Sequence, residues 1–212
     1  KVPEDLPDEA VAPLNCALAQ VLFALRDVRL GDTVVIQGAG GLGINAAAVA
    51  RTAGASQVIV IDKIAERLDV AADFGATQCI DASGISTWEV TEQVHKHTDG
   101  IGADWVLEVV GVPGVIPEGV GFLNNGGTLL EVGNVGMGRT FEMDPSSLVF
   151  GNKSIRGVSF YDPVTLAIGL SFLQHTSFPF GRLMPKPFHL ADVNDAFASA
   201  DAGLVPRGAL VP

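Results

Sequence analysis

The chain has 212 residues, of which 48% are hydrophobic, and this length is sufficient to bury one full core as a single globular domain. Its formal net charge of −11 argues against nucleic-acid or membrane-surface binding, which requires clustered lysines and arginines. The two cysteines lie outside any CxxC pair and predict free thiols in a reducing cytoplasm, and no stretch reaches the roughly 20 apolar residues of a membrane helix.

The predicted elements alternate between short apolar strands and segments of helical periodicity. Residues 1–13, with four carboxylates and three prolines, predict an opening loop, and residues 14–25 predict a helix. Strands are predicted at residues 33–37, 57–62, 77–80, 105–110, 127–132 and 154–158. Helices are predicted at residues 42–53, 64–74, 87–97 and 113–123. Strands this rich in Val, Ile and Leu are typical of a doubly wound parallel sheet covered on both faces, which is an α/β fold.

The alternation weakens after residue 158. The pattern there predicts a helix at residues 163–174, a proline-rich crossing at 178–187, a helix at 191–200 and a short final strand. We therefore divide the chain into an opening loop and junction helix at 1–30, a strand-and-helix core at 31–160, and C-terminal helices with a closing strand at 161–212.

A glycine-rich turn follows the first strand directly. Gly38, Gly40 and Gly43 form a GxGxxG motif at the start of an alanine-rich helix. Gly38 permits a tight turn, Gly40 lets the backbone approach a pyrophosphate, and Gly43 lets the helix pack close to the sheet. The unpaired N–H groups of the helix then bind the anion. This motif alone is common, because turns collect glycine.

The end of the second strand supplies the other half of the fingerprint. Asp62 lies nineteen residues beyond Gly43, where a carboxylate can bind the ribose hydroxyls of a dinucleotide. The alternative is that Asp62 only caps the next helix. A carboxylate repels the 2′-phosphate of NADP, so the pattern favours NAD, although Lys63 beside it weakens the preference. We predict a Rossmann-type dinucleotide-binding core at 31–160.

With this core, the chain resembles the coenzyme-binding domain of the medium-chain dehydrogenase/reductase family, in its zinc-dependent alcohol dehydrogenase branch. The stretches that carry the resemblance are residues 13–16, 31–34, 40–43, 53–55, 74–77, 102–104, 108–111, 126–127, 131–133, 156–158 and 207–212. The resemblance implies an oxidoreductase that transfers hydride between an alcohol or polyol and NAD, acting on a small-molecule alcohol or carbonyl substrate. It also implies that the N-terminal catalytic domain of the family is absent from this chain, which opens at Lys1.

The resemblance further assigns residues to the cofactor. It implies contacts from the glycine turn, from the acidic end of the second strand, from the ends of three later strands, and from two arginines. The implied cofactor-binding residues are Gly38, Gly40, Gly41, Leu42, Gly43, Asp62, Lys63, Arg67, Val109, Val110, Val132, Gly133, Asn134, Val158, Ser159, Phe160 and Arg207. The valines also suit simple core packing, and Arg207 also suits a solvated terminus.

The sequence offers one candidate metal ligand and no complete catalytic site. Cys16 stands where the resemblance places a zinc ligand, although a small buried cysteine is the plain alternative. Zinc needs about three protein ligands, so we expect zinc in the intact protein only and no turnover by this chain alone. His95 and His97 are two residues apart on a predicted helix and cannot face one ion.

Three further hypotheses follow from the same residues. A zinc-free quinone or enone reductase domain is the rival within the family, but Asp62 and Cys16 argue against it. A non-catalytic module that senses NAD is the alternative outside the family. A methyltransferase-like use of the glycine turn is a third alternative, but the later motifs fit it poorly.

The resemblance also implies a homo-oligomer that joins through the last strand of the core.

Overall fold

A computed structural model describes residues 1–183, 187–202 and 208–212, and its centre is a six-stranded parallel sheet. The strand order is β3-β2-β1-β4-β5-β6, so the chain crosses over between β3 and β4 and the sheet grows in both directions from β1 and β4. The strands are β1 Thr33–Gln37, β2 Gln57–Asp62, β3 Gln78–Asp81, β4 Ala103–Glu108, β5 Leu123–Glu131 and β6 Ser154–Gly157. This topology confirms the predicted doubly wound α/β fold.

Helices cover both faces of the sheet. Those of the N-terminal and central parts are α1 Asp8–Val11, a π-helical turn Leu14–Leu18, α2 Ala19–Ala24, α3 Gly41–Ala53, α4 Ala65–Asp73, α5 Thr87–His97 and α6 Val115–Phe122. Those after β5 are α7 Ser146–Val149, α8 Val164–His175, the 3-10 turns Phe180–Leu183 and Leu190–Asp192, and α9 Val193–Asp201. A separate parallel pair joins β7 Phe188–His189 to β8 Leu210–Val211.

Alternate residues of β1 enter two different cores, as expected for a sheet covered on both faces. Val34 and Ile36 belong to the core beneath α2, α3 and α4, whereas Val35 belongs to the core beneath α5 and α6. All three side chains are fully buried. Both faces of the sheet are therefore packed against helices, and its carboxyl edge presents the loops that form the site.

The structure corrects several predicted boundaries. The fourth strand ends at Glu108, not at residue 110, because the Glu108 carboxylate accepts the N–H groups of Val110 and Gly111 and turns the chain away from the sheet. The fifth strand begins earlier, at Leu123, with a register shift against β4. The predicted opening loop contains the short helix α1, and α7 was not predicted. The first turn of the predicted helix at 14–25 is π-helical.

No helix in the described part of the chain has the length and apolar character required to cross a membrane.

Candidate functional site

A cleft of about 360 Å³ lies at the carboxyl edge of the sheet, beside the ends of β1, β2 and β4. It is lined by Gln37, Gly38, Gly40, Ile61, Asp62, Lys63, Ile64, Arg67, Ala82, Val109, Val110, Val112, Val115 and Glu118. The sheet reverses its order between β1 and β4, and open α/β sheets bind ligands at this kind of switch point. Seven of the predicted cofactor-binding residues therefore share one cleft.

The glycine turn has the geometry that the motif predicts. Gly38 has a φ of +102°, in the left-handed region that favours glycine, and its N–H donates to the carbonyl of Ile61 at 2.8 Å. A Cβ on Gly43 would overlap the carbonyl oxygen of Gly38, whereas a Cβ on Gly40 would meet nothing within 4 Å. Gly43 is thus required by packing, and Gly40 leaves open space above the N-terminus of α3.

Helix α3 begins at Gly41, and its first N–H groups lie next to this open space. The first turn of an α-helix has no intrahelical acceptors for its N–H groups, and it carries the positive end of the helix dipole. Gly41 and Leu42 are half-buried, and Gly43 is buried against the sheet. This arrangement can hold a phosphate or pyrophosphate without a basic side chain.

Asp62 connects the turn to the next helix. Its Oδ2 accepts the N–H of Ala39 at 2.6 Å, and its Oδ1 accepts the N–H groups of Lys63 at 2.7 Å and Ile64 at 2.9 Å. The side chain is only 10% exposed. Asp62 does not cap α4, whose N-cap is Ile64 and has no side-chain cap; its carboxylate instead holds the two residues after β2 and, through the bond from Ala39, fixes the glycine turn. A carboxylate has about four acceptor positions, so capacity for a ribose hydroxyl remains.

Two cations flank Asp62. Arg67 places its Nη1 4.0 Å from Asp62 Oδ2, and its buried Nε has no hydrogen-bond partner in the described part of the chain. Lys63 is exposed at the rim of the same cleft. A buried guanidinium nitrogen without a partner is costly, so Arg67 has donor capacity left for a ligand in the cleft.

A carboxyl pair lies at the ends of β4 and β5, where Glu108, which is buried, and Glu131, which is half-buried, are register partners. Asn134 bridges them, because its Nδ2 donates to Glu108 Oε2 at 3.0 Å and to Glu131 Oε1 at 3.1 Å. Burial, together with the neighbouring Glu131, raises the pKa of Glu108 to about 7, against the opposing hydrogen bond from the Gly111 N–H. Below about pH 7 Glu108 therefore holds a proton, which removes the repulsion between the two carboxyl groups.

This pair shapes the loops that carry five predicted cofactor-binding residues. Glu108 Oε1 accepts the N–H of Val110 at 2.7 Å, and its backbone carbonyl accepts those of Val132 and Gly133. A Cβ on Gly133 would lie 2.6 Å from Glu108 Oε2, so the two loops touch there. Val109 is half-buried, and Val110 is 47% exposed toward the cleft, so Val110 does more than fill the core.

The segment after β6 contacts the N-terminal part of the chain. Gln20, which is buried, donates from Nε2 to the carbonyl of Val158 at 3.2 Å, and the Val158 N–H donates to Glu131. Both backbone groups of Val158 are thus engaged within the protein. Ser159 and Phe160 are exposed and remain the predicted contacts from this segment.

Cys16 is exposed on the π-helical turn, close to the same segment, since Tyr161 donates its hydroxyl proton to the carbonyl of Asn15 at 2.8 Å. Among the described residues, no three His, Cys, Asp or Glu side chains are grouped so that they could hold a metal ion. A zinc site needs about three protein ligands, so these residues do not fit a complete zinc site by themselves. The predicted residue Arg207 lies outside the described residues.

Four polar residues of this region were not predicted. Glu108 and Glu131 are the last residues of two adjacent parallel strands, and each is followed by valine and then glycine. A glutamate repeated at this position was the sequence signal that could have identified them. Gln37 is a polar residue that ends an otherwise apolar strand, and Glu118 lies in the first turn of an apolar helix. Each of these positions departs from its local pattern, which indicates a polar function at the edge of the sheet.

Comparison with known proteins identifies related chains. The family model described as zinc-binding dehydrogenase matches residues 41–175. Among curated proteins, 5-exo-hydroxycamphor dehydrogenase of Pseudomonas putida is 33% identical over 208 residues, which cover 96% of this chain and 58% of that protein. L-threonine 3-dehydrogenase of Aeromonas salmonicida is 28% identical over 203 residues, which cover 96% of this chain and 58% of that protein.

Solved structures of dehydrogenases are also similar to this chain. The chain is similar to an alcohol dehydrogenase zinc-binding domain protein from Burkholderia ambifaria, with a TM-score of 0.91 and 33% identity, covering 100% of this chain and 58% of that one. It is also similar to benzyl alcohol dehydrogenase from Acinetobacter calcoaceticus, with a TM-score of 0.87 and 29% identity, covering 97% of this chain and 57% of that one. The chain thus spans somewhat more than half the length of these relatives.

Proposed function

This chain belongs to the zinc-binding dehydrogenase family, as its sequence predicted, and we propose that it is the NAD(H)-binding half of an oxidoreductase acting on alcohols or polyols. The observation that carries the proposal is the bond between Asp62 and the glycine turn. It brings the two halves of the dinucleotide fingerprint into one cleft at the switch point of the sheet. Hydride transfer is the chemistry that NAD supplies when bound.

The chain's own residues bind and orient this cofactor. The N–H groups that begin α3, at Gly41 and Leu42, hold the pyrophosphate above Gly40, where the backbone is open. Asp62 accepts the ribose hydroxyls, and Arg67 supports it from the side. The preference for NAD over NADP follows from the charge of Asp62, which opposes a 2′-phosphate.

The nicotinamide end is proposed to lie against the loops after β4, β5 and β6. Gly133 and Asn134 are held there by the carboxyl pair of Glu108 and Glu131, and Ser159 and Phe160 extend from β6. These loops offer backbone polar groups that can fix the orientation of a carboxamide. A fixed orientation places one face of the ring toward the substrate, which is a positioning contribution to catalysis.

Zinc belongs to the proposal only for the intact protein. We propose that Cys16 supplies one ligand and that segments outside this chain supply the others, together with the substrate pocket. The exposure of Cys16 supports this, because an exposed cysteine on this turn can reach a metal ion that residues of another domain also hold. On this proposal, the chain alone binds NAD(H) without turning over an alcohol.

We also propose that the intact protein is a homo-oligomer. Strand β6 ends the six-stranded sheet, pairing with β5 on one side and with no other described strand on its outer side. An unpaired strand edge is a ready template for a second copy of the chain. Light scattering of the intact protein is expected to give at least a dimer, and a monomer at micromolar concentration would overturn this part of the proposal.

The functional test compares the intact protein with this chain. The intact protein, incubated with NAD and a panel of primary, secondary and vicinal alcohols, is expected to produce NADH, whereas this chain is expected to bind NADH without turnover. Reduction of enones or quinones by NADPH, with no alcohol oxidation, would instead support a zinc-free reductase. Binding of NAD by the intact protein without activity on any of these substrates would support a sensing role.

A further inference from the structure

The part of the cleft beyond Asp62 has mainly aliphatic walls. Ile64 and Val115 are half-buried there, and Val110 and Val112 are 47% and 45% exposed although they are apolar. Exposed aliphatic side chains along one cleft favour a flat apolar ligand group, such as an aromatic base. If the cofactor ribose lies at Asp62, the attached base enters this part of the cleft.

A polar pair stands among these aliphatic walls. Gln37 is 3% exposed, and its Nε2 donates to the carbonyl of Val115 at 3.0 Å and to Glu118 Oε2 at 3.3 Å. Its Oε1 has no partner in the described part of the chain and lies against Gly119, where a Cβ would be 2.6 Å away. The Gln37 amide is thus fixed by packing and holds the Glu118 carboxylate at the cleft.

The Glu118 carboxylate can accept further hydrogen bonds. It is half-buried, and among the described residues the bond from Gln37 Nε2, at 3.3 Å, is the only hydrogen bond that its side chain accepts. Burial raises its pKa, while the hydrogen bond from Gln37 and the charge of Lys63 oppose the rise. A partly desolvated carboxylate gains free energy when a ligand N–H points at it, so Glu118 favours a ligand with a donor group.

We infer that Glu118 is a specificity-determining residue that accepts a hydrogen bond from the exocyclic amino group of the bound adenine. This inference rests on the proposed binding of NAD(H). The amino group of adenine is a donor, whereas the corresponding oxygen of hypoxanthine is an acceptor and faces the carboxylate unfavourably. The residue therefore selects an adenine dinucleotide over its deaminated analogue.

Calorimetric titration of this chain with NAD and with nicotinamide hypoxanthine dinucleotide tests the inference. The unmodified chain is expected to bind NAD about tenfold more tightly, in line with one hydrogen bond to a charged group. In Glu118→Gln the discrimination is expected to vanish or reverse, because the new amide can donate to the hypoxanthine oxygen. Glu66→Gln changes an exposed carboxylate of α4 outside the cleft lining and is expected to keep the discrimination.

The possible failures are distinguishable. Absence of NAD binding overturns the proposed function and this inference with it. Tight NAD binding with equal affinity for the analogue overturns the inference alone, as does a tenfold preference that persists in Glu118→Gln. Circular dichroism and thermal unfolding verify that each variant is folded. Glu118→Ala is a second variant that is expected to lose the preference for NAD over the hypoxanthine analogue.

Discussion

The Oδ2 atom of Asp62 accepts a hydrogen bond from the N–H of Ala39 at 2.6 Å, so the acidic end of β2 braces the turn that follows β1. The residue that is proposed to bind the ribose also shapes the site that is proposed to bind the pyrophosphate. Substitutions at Asp62 therefore act on stability and on cofactor binding together, and the two effects have to be measured separately.

Two replacements of Asp62 distinguish the effect of its charge from the effect of its hydrogen bonds. Asp62→Ala removes the acceptors of three N–H groups, so we expect the free energy of unfolding to fall by about 1–3 kcal/mol and NAD affinity to fall more than tenfold. Asp62→Asn keeps an acceptor oxygen without the charge and is expected mainly to weaken the preference for NAD over NADP. Urea unfolding and calorimetry measure the two effects, and an unchanged preference in Asp62→Asn would contradict the role of the charge.

The second and third glycines of the GxGxxG motif, Gly40 and Gly43, are expected to respond differently to replacement by alanine. Gly43→Ala places a Cβ into the Gly38 carbonyl oxygen, so we expect a large loss of stability in thermal unfolding. Gly40→Ala meets nothing within 4 Å and has an ordinary φ of −73°, so the fold is expected to persist. The new methyl group would nevertheless occupy the space proposed for the pyrophosphate, so we expect NAD affinity to fall at least tenfold. Undiminished NAD binding by Gly40→Ala would place the pyrophosphate elsewhere.

The carboxyl pair predicts a pH dependence of stability. The pKa of Glu108 is raised in the folded protein from its ordinary value of 4.5 to about 7, mainly by burial, so the native state binds more protons than the unfolded state between these values. The contribution of Glu108 to the free energy of unfolding therefore falls as pH rises from about 4.5 to 7, and it is constant above that window.

Urea unfolding between pH 5 and pH 8 checks this sign. The difference between the unmodified chain and the isosteric Glu108→Gln isolates the contribution of this group from other titrations. We expect Glu108→Gln to lose the decline with pH, and Glu131→Gln to show a smaller decline because the neighbouring charge is gone. A decline of the same size in Glu108→Gln would show that another group causes it.

The two exposed cysteines form a matched pair for the zinc proposal. In the intact protein, Cys16→Ser is expected to lose zinc and alcohol oxidation, while Cys79→Ser keeps both, since Cys79 lies on β3 away from the proposed site. Elemental analysis of the purified variants gives the zinc content per chain. Full zinc occupancy in Cys16→Ser, with normal activity, would remove Cys16 from the metal site.

Much of the fold follows from local pattern. The bounds of β1 and β2 were predicted from their apolar runs, and those of α5 from its helical periodicity. The end of β4 was wrong because the Glu108 carboxylate accepts the N–H groups of Val110 and Gly111, two and three residues on, and turns the backbone within an apolar run that the pattern assigns to the strand. Local pattern thus predicts elements that end where an apolar run ends, and misses an end at which a side chain turns the backbone inside such a run.

The same distinction applies to the site. Gly38 and Asp62 were predicted because their spacing is a recognised fingerprint, and the bond from Ala39 explains why the spacing matters. The partnership of Glu108 with Glu131 depends on the register of β4 against β5, which residue spacing does not contain. Gln37 and Glu118 meet across β1 and α6 for the same reason, so only the folded chain reveals their hydrogen bond.

The most direct test of the central claim is calorimetric titration of this chain with NAD and with NADP under identical conditions. We predict saturable one-to-one binding of NAD and an affinity for NADP at least tenfold weaker, because the proposed role of Asp62 is to accept ribose hydroxyls and its charge opposes a 2′-phosphate. Equal affinity for the two cofactors, or the absence of saturable NAD binding, would contradict the account.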